Sequence, residues 1–285
     1  MNGAAAGLAA STREMGSLLY RYRKILWATT RVELEKRYAG SLFGKVWVIL
    51  YPALLLSVYL FVFKVIFDMK LSADAAKRLT GGQGGTGGLS FPLYIFCGLI
   101  PYIGFSEAVT SGCTSIKQNL HLVKNVIIPI ELIPVRVVAV SMVSQLVSMA
   151  ILIVLLSIEG ALTPHLLWLP LVVLLQVLAL IGIAWIVSAL GVIVPDVSHF
   201  VTLFVFFLMY VSPIIFEPSA VPAGFRFLVY LNPLTYMIEV YRSCLLYGRL
   251  PGAAVIAAYL ALSLGSLLAG GILFQKFKGV LVDHE

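Results

Sequence analysis

The stretch RYAGSLFGKVWVILYPALLLSVYLFVFKVIF, residues 37–67, begins with basic and turn-forming residues and then becomes almost continuously apolar. From Val46 to Phe67 its one charged residue is Lys64. This run is long enough to cross the roughly 30 Å hydrocarbon core of a bilayer, because a helical crossing takes about 20 residues. Of the 285 residues in the chain, 60% are hydrophobic and 12% are charged, against about 25% charged in soluble domains. Lipid is therefore expected to surround most of the chain.

Five further stretches have similar length and apolar character, so the sequence predicts an all-α integral membrane protein with six transmembrane helices. The fourth stretch has 29 residues and is interpreted as one tilted or protruding helix, because the loop at 195–198 is too short to hide another span. The fifth contains Ser212 and Pro213, where a helix is expected to kink or end. The predicted spans are residues 46–67, 92–112, 135–156, 166–194, 199–216 and 253–274.

The distribution of lysine and arginine predicts how the spans are oriented. Thirteen of these residues fall on the side that carries the N-terminus, and six fall on the opposite side. Because cytoplasmic loops retain the excess of basic residues, both termini are expected in the cytoplasm. The net charge of +7 is attributed to this bias and not to nucleic-acid binding.

The segments that flank the six-span domain, residues 46–274, are interpreted from their composition. Residues 1–16 are expected to form a flexible tail, since they lack the basic and apolar regions of a cleavable signal peptide. Residues 17–45 are basic with an apolar stripe, which favours an amphipathic helix in the cytoplasmic interface and a linker. A plain juxtamembrane helix is the alternative. Residues 275–285 are expected to form a cytoplasmic tail.

Two glycine clusters invite comparison with phosphate-binding loops. The first runs from Gly40 to Lys45, but it has one residue too few between its glycines, and Val46 stands where such a loop needs a hydroxyl. The second, within residues 72–90, has no lysine after its glycines and is interpreted as a flexible outer loop. The chain is therefore expected to bind no nucleotide.

Groups able to perform catalysis are sparse. The four histidines are scattered, and no catalytic set, metal-ligand spacing or bound cofactor can be assigned, so the chain is not expected to be an enzyme. Glu107 is the clearest ionisable group at depth in a span, and such residues are functional candidates. The sequence leaves open whether it relays protons, pairs with a helix end, or lies near the cytoplasmic boundary.

Aromatic residues give a stronger pattern. They recur at four-residue intervals in span one and cluster in span five, where they are interpreted either as the lining of a substrate pathway or as ordinary packing and lipid contacts. Span six carries a stripe of small residues that allows helix backbones to approach closely. The pathway candidates are Trp47, Tyr51, Tyr59, Phe63, Phe204, Phe207 and Tyr210, and the small stripe is Ala253, Ala257, Ala261, Gly265 and Ala269.

Two segments between predicted spans have amphipathic or apolar sequences that predict short helices. The cytoplasmic loop at 113–134 is amphipathic and basic, and a short helix in it could dock into the groove of a partner. The outer segment at 217–252 is too apolar for a solvated loop, so short re-entrant helices between spans five and six are expected. Asn232 and Pro233 predict a helix start, and Gly248 predicts a stop.

Four stretches together resemble the permeases of ABC exporters that move O-antigen, teichoic acid and capsular polysaccharides. The first is the basic lead and apolar run RVELEKRYAGSLFGKVW at 31–47. The second is LYIFCGLIPYIGFSEAV at 93–109, and the third is NLHLVKNVIIPIELIP at 119–134. The fourth includes YVSPIIF at 210–216 and LNPLTYMIEVYRSCLLYG at 231–248. The matching stretches are spread over nearly the whole chain.

This resemblance implies a homodimeric permease in the bacterial cytoplasmic (inner) membrane. Two copies of a separate ATPase subunit, which holds ATP and Mg²⁺, would bind below it, and the substrate would be a glycan on a polyprenyl pyrophosphate. The glycine-rich loop at 72–90 departs from the family pattern, and only Asp196 matches the family's charged pair after span four. The implied ATPase-coupling residues are Glu33, Arg37, Lys117, Asn119, His121 and Lys124, and the implied pyrophosphate contacts are Arg31, Lys36 and Arg37.

Three other functions compete with this interpretation. A permease of the same architecture could export a drug, a lipid or another small hydrophobic substrate. A secondary transporter would require inverted repeats and paired charges in the membrane, neither of which is apparent. A membrane-embedded glycosyltransferase would require clustered carboxylates or arginines, which the sequence does not provide.

Overall fold

The computed structural model describes residues 17, 20–68, 90–119, 128–194 and 196–283. All regular structure in these residues is helical, and no strand occurs among them, which confirms the predicted all-α class. The predicted tail at 1–16, the glycine-rich residues up to 89 and the loop residues 120–127 lie outside the described residues. The α-helices are α1 (Arg23–Tyr38), α2 (Trp47–Leu60), α3 (Ser90–Gln118), α4 (Leu132–Ile158), α5 (Leu169–Ile193), α6 (Val197–Val211), α7 (Arg226–Leu231), α8 (Pro233–Arg242) and α9 (Ala253–Asp283).

Five helical stretches are long and apolar enough to cross a membrane. Helix α2 continues as a π-helix at Phe61–Ile66, and a 3-10 turn at Pro164–Trp168 leads directly into α5. The interpretation of residues 166–194 as one helix is therefore confirmed, apart from Val194, which is extended. The five stretches are Gly44–Ile66, Phe91–Gln118, Leu132–Ile158, Pro164–Ile193 and Ala253–Gly279.

Helix α6, the fifth predicted span, is shorter than the sequence suggested. It has 15 residues, about 22 Å at the helical rise of roughly 1.5 Å per residue. Ser212 is extended, with φ −75° and ψ 143°, because a residue before proline is pushed out of the helical region. The predicted end at Ser212 and Pro213 is confirmed, the predicted boundary at Phe216 is wrong, and the count of six spans stays a prediction.

The chain turns sharply between α1 and α2. Gly40 has φ +80° and Gly44 has φ +50°, a left-handed conformation that glycine adopts without the steric cost of a side chain. One face of α1 packs against α4, and Thr30 on that face is buried. The first glycine cluster is thus a turn between a basic helix and the first long apolar helix, as the sequence predicted.

Helix α3 is the centre of the bundle and is covered by α4, α5, α6 and α8. Helices α5 and α9 form the other close contact: a side chain on Gly182 would overlap the Ser266 carbonyl, and one on Gly270 would overlap the Gly182 carbonyl. The predicted small stripe, in contrast, is exposed, and Gly265 has no atom near it. Within one chain the contact with α5 uses another face of α9, where Tyr259 and Ser266 donate hydrogen bonds to carbonyls of α5. Close packing of the small stripe against another helix stays a prediction.

Two short helices, α7 and α8, occupy the apolar segment between α6 and α9. The Asn232 side chain caps α8 by accepting a hydrogen bond from Leu234 N at 3.0 Å, and Pro233 follows at the first helical position. Gly248 ends the helical region at φ +56°. These start and stop signals are confirmed, and burial of α8 explains the apolar composition of the segment; its re-entrant placement in the membrane stays a prediction.

Candidate functional site

A cleft of about 510 Å³ lies between α2 and α3, with further walls from α1, α4 and α6. It is called the aromatic cleft here. It is open on one side, where Tyr51 is 61% exposed. Its lining residues are Arg37, Tyr38, Trp47, Val48, Tyr51, Pro52, Leu55, Tyr59, Leu99, Tyr102, Ile103, Ser106, Glu107, Ser144, Ser148 and Met209.

Three of the predicted pathway aromatics line this cleft. Trp47, Tyr51 and Tyr59 lie on one face of α2, because side chains four residues apart are neighbours on a helix. Phe63, one turn further, is not in the lining. It stacks on Tyr59 with ring centroids 5.8 Å apart and meets Phe91 edge-on at 5.7 Å. The aromatic row therefore continues past the cleft into the contact between α2 and α3.

The aromatics of α6 take a different position. Phe204, Phe207 and Tyr210 are all more than half exposed on the surface of the chain, and the residue that α6 contributes to the cleft is Met209. The Tyr102 hydroxyl donates to the Val205 carbonyl at 3.1 Å and attaches α6 to α3. Tyr210 is near enough to Tyr59 of α2 to interact with it electrostatically, whereas Phe204 and Phe207 are not among the residues that line the cleft.

Glu107 forms an ion pair with Arg37 at the margin of the aromatic cleft. The Glu107 side chain is 15% exposed, and a carboxylate at that depth needs a partner of opposite charge to remain ionised without a large cost. Ser144 lies within 3.5 Å of Arg37 Nη1. Among the alternatives that the sequence left open, the structure places Glu107 in a pair with the end of α1.

Two of the implied coupling residues, Glu33 and Asn119, meet through Arg136. Arg136 Nη2 donates to Asn119 Oδ1 at 2.7 Å and lies 3.6 Å from Glu33 Oε2. The Arg136 side chain is nearly buried, so the contact fixes α1 and the end of α3 against the start of α4. Arg136 is one of the thirteen basic residues counted for the orientation, and its place near the start of an otherwise apolar helix was the signal that it needs a partner.

A second contact ties α9 to the same end of the bundle. Lys278 Nζ lies 2.6 Å from Glu131 Oε1, and the indole of Trp185 donates to the Glu131 carbonyl at 3.0 Å. Helix α9 runs past the predicted boundary at Phe274 to Asp283, which allows Lys278 to make this contact. At the end of the bundle that carries α1, ion pairs therefore join α1 to α4 and α9 to the residue before α4, and the Asn119 amide after α3 bonds to the same arginine of α4.

The implied pyrophosphate residues do not converge on one site. Arg31 and Lys45 both contact Glu35 Oε1, at 3.3 and 3.0 Å, and the hydrogen bond from Lys45, with that from Arg31, holds the pKa of the Glu35 carboxyl below its usual range. Lys36 is on the exposed side of α1. Only Arg37 reaches the aromatic cleft, and there it faces Glu107.

The remaining implied coupling residues lie at or beyond the end of α3. Lys117 is half-buried in its last turn. His121 and Lys124 fall outside the described residues. Within the described part of the chain, no three His, Cys, Asp or Glu side chains are grouped closely enough to hold a metal ion.

Comparison with known proteins identifies the family. A family model described as ABC-2 type transporter matches residues 25–246. An O-antigen export system permease protein RfbA from Myxococcus xanthus is 27% identical over 90% of this chain and 94% of its own length. A protein of the same name from Klebsiella pneumoniae is 27% identical over 89% of this chain and 92% of its own. A further one from Klebsiella pneumoniae is 26% identical over 79% and 82%. Because the family model spans most of the sequence, this chain belongs to the ABC-2 type transporter family.

Proposed function

We propose that this chain is the channel-forming membrane subunit of an ATP-driven exporter. Its substrate is a polysaccharide of the O-antigen type, linked to polyprenyl pyrophosphate, which it moves across the bacterial cytoplasmic membrane. The observation that carries this proposal is the row of Trp47, Tyr51 and Tyr59 along an open cleft that begins at the ion pair of Arg37 and Glu107. Membership of the ABC-2 family and the names of the relatives support it.

The aromatic row suits a long and repetitive substrate. Ring faces present apolar surface to the C–H faces of sugars, and they do so without hydrogen bonds that would hold one sugar in place. The serines of the cleft, Ser106, Ser144 and Ser148, offer water-exchangeable polar contacts on the opposite wall. A glycan can therefore slide along such a surface while remaining solvated.

The channel is completed by a second copy of the chain. The open side of the aromatic cleft and the outward aromatics of α6 leave large apolar side chains uncovered, and surfaces of this kind mark contacts with protein or lipid. In a homodimer, the exposed Phe204, Phe207 and Tyr210 of the two copies add to the aromatic lining. Membrane lipids cover the remaining apolar faces, with both termini in the cytoplasm.

The energy comes from a separate ATPase subunit, two copies of which hold the ATP and Mg²⁺, because the sequence of this chain contains no phosphate-binding loop. Its docking surface is the α1 end of the bundle, at Glu33, Lys117, Asn119 and the following loop with His121 and Lys124. Glu33 and Arg37 lie one turn apart on α1. A displacement of α1 by the ATPase therefore acts on the Arg136 contact and on the Glu107 pair together.

The test is reconstitution of the full chain with the ATPase encoded beside it in liposomes. We expect lipid-linked glycan to raise the rate of ATP hydrolysis at least several-fold, while the same lipid carrier without its glycan raises it much less. If small hydrophobic compounds raised the rate of ATP hydrolysis and lipid-linked glycan did not, the chain would be the permease of a drug or lipid exporter. Transport driven by an ion gradient without the ATPase would assign a secondary transporter, and either outcome rejects the proposal.

A further inference from the structure

A second cavity lies at the α8 end of the bundle, opposite the end that carries α1. Its volume is about 230 Å³, and it is called the α8 pocket here. Two carboxylates, two guanidinium groups and three tyrosines line it, a composition unlike that of the aromatic cleft. The lining residues used below are Tyr94, Glu217, Arg226, Glu239, Arg242 and Tyr247.

Arg242 forms the rigid floor of the α8 pocket. The residue is 3% exposed, and its two terminal nitrogens donate to the Tyr94 hydroxyl at 2.8 Å, the Pro213 carbonyl at 2.6 Å and the Ile214 carbonyl at 2.7 Å. The guanidinium also stacks on the Tyr94 ring, 3.5 Å from its centroid. These acceptors are neutral, and the buried Arg242 Nε has no hydrogen-bond partner.

The rest of the pocket is mixed in charge and in hydrogen-bonding character. Glu239 lies one turn before Arg242 on α8, on the same side of the helix, and Glu217 and Arg226 come from the segment before it. The two carboxylates border the pocket together with the Arg226 guanidinium, whose Nε donates to the Val221 carbonyl at 2.8 Å, while the terminal nitrogens of Arg242 are already bonded to protein oxygens. Carboxylates only accept hydrogen bonds and guanidinium groups only donate them, so the pocket presents both kinds of partner over a short distance.

This combination matches the hydroxyl groups of a sugar, each of which donates and accepts. The tyrosine rings add apolar faces for the C–H groups of the same ring. The volume is below the roughly 300–1,000 Å³ of pockets for drug-sized ligands, so a single sugar unit fits better than a length of glycan. We propose that the α8 pocket binds one neutral sugar unit, and, resting on the proposed function, that this unit belongs to the glycan leaving the channel.

The pocket can be tested without the ATPase or any lipid-linked substrate. The full chain is placed in lipid nanodiscs and titrated with free glucose, galactose, mannose, rhamnose, N-acetylglucosamine and N-acetylgalactosamine, and binding is followed by saturation-transfer NMR. We expect at least one sugar to bind, and Glu239→Gln to weaken that binding at least tenfold, because the amide has no charge and replaces one of the two acceptor oxygens of the carboxylate by a donor. Inorganic phosphate should not displace the sugar.

Matched variants separate this site from the surrounding surface. Glu159→Gln changes an exposed carboxylate at the same end of the bundle but outside the pocket, and it should leave binding unchanged. Glu217→Gln provides a second pocket variant if Glu239→Gln lowers the yield of folded protein. Absence of binding by every sugar, equal binding by both pocket variants and the parent, or displacement by phosphate would each overturn the proposal.

Failure of the sugar-binding proposal can be distinguished from failure of the proposed function. Sugar binding in nanodiscs, combined with no stimulation of ATP hydrolysis by lipid-linked glycan, contradicts the exporter assignment and leaves the pocket standing. Stimulation without any sugar binding rejects the pocket and leaves the exporter assignment standing.

Discussion

Gln145 of α4 and Gln176 of α5 exchange a reciprocal pair of amide hydrogen bonds, with N···O distances of 2.7 and 2.8 Å. Gln145 also donates to the Tyr241 hydroxyl at 2.8 Å, and that hydroxyl donates to Gln176 Oε1 at 2.5 Å. Gln176 donates in addition to the Pro101 carbonyl of α3 at 3.1 Å. All three side chains are fully buried, so this cluster joins α3, α4, α5 and α8 by polar contacts at the core of the bundle.

Replacing one member of this cluster should destabilise the fold. Gln145→Leu removes the hydrogen bonds that Gln145 makes to Gln176 and to the Tyr241 hydroxyl, although these two keep their bond to each other. One Gln176 amide hydrogen loses its acceptor, and an unsatisfied buried donor costs about 1–3 kcal/mol. The double variant Gln145→Leu, Gln176→Leu should lose less than the sum of the single losses, with a coupling of about 0.6–1.7 kcal/mol, as for hydrogen bonds between membrane helices. Unfolding in mixed micelles titrated with SDS gives the free energies.

Gln118→Leu, at the exposed end of α3, is the control for loss of a glutamine and should change the free energy of unfolding by less than about 0.5 kcal/mol. Strictly additive losses from the two core variants would show that the amide pair does not couple α4 to α5.

The contact between α5 and α9 should tolerate no side chain at its centre. Gly182→Ala places a Cβ on the Ser266 carbonyl, and the helices must separate, which costs about 1–3 kcal/mol or more in overpacked cores. Gly265→Ala is the matched control on α9, because nothing lies within 4 Å of its added Cβ. The control should be neutral or slightly stabilising, since alanine is favoured over glycine inside a helix by roughly 1 kcal/mol. Equal melting temperatures for the two variants would contradict this packing.

The sequence predicted the helices better than the contacts between them. Apolar length located the five long helices, and Asn232, Pro233 and Gly248 located both ends of the α8 region, because these signals act through the local backbone. The face of α9 that contacts α5 was not predicted, because small residues occur on two sides of α9 and only the position of Gly182 on α5 selects between them. No local pattern carries that information.

The same distinction holds for the candidate site. Trp47, Tyr51 and Tyr59 were found because a four-residue interval places them on one side of α2 whatever its neighbours are. The partnership of Arg37 with Glu107 joins residues from separate helices, so the sequence could indicate a buried charge but not its partner. Gln145 and Gln176 were missed, although an amide inside an otherwise apolar run is a signal that a polar partner is required.

Exchanging the charges of Arg37 and Glu107 by substitution tests whether their ion pair at the margin of the aromatic cleft supports export. Arg37→Glu places two carboxylates together in a partly buried site, and Glu107→Arg places two guanidinium groups there, so each single change should lower glycan export at least tenfold. The double exchange restores opposite charges and should recover much of the activity. Export is measured as surface glycan in a strain that lacks the native gene, with membrane abundance of each variant as the control. A double variant as inactive as the singles would show that the side chains act separately.

Reversal of charge at Lys117 tests the docking surface for the ATPase. Lys117 lies in the last turn of α3, two residues before Asn119, which Arg136 holds in place, so its charge is presented from a fixed position. Replacing a favourable charge contact by a like-charge one costs several kcal/mol at an interface. Lys117→Glu, alone or with Lys124→Glu, should therefore reduce the ATPase that copurifies with the permease at least tenfold. Lys64→Glu makes the same change in the π-helix that follows α2, at the opposite end of the first apolar stretch from this surface, and should retain the ATPase. Because Lys117 is not part of the bundle core, the variant should keep its melting temperature. Unchanged copurification of a folded Lys117→Glu, Lys124→Glu protein would move the docking surface away from this end of α3.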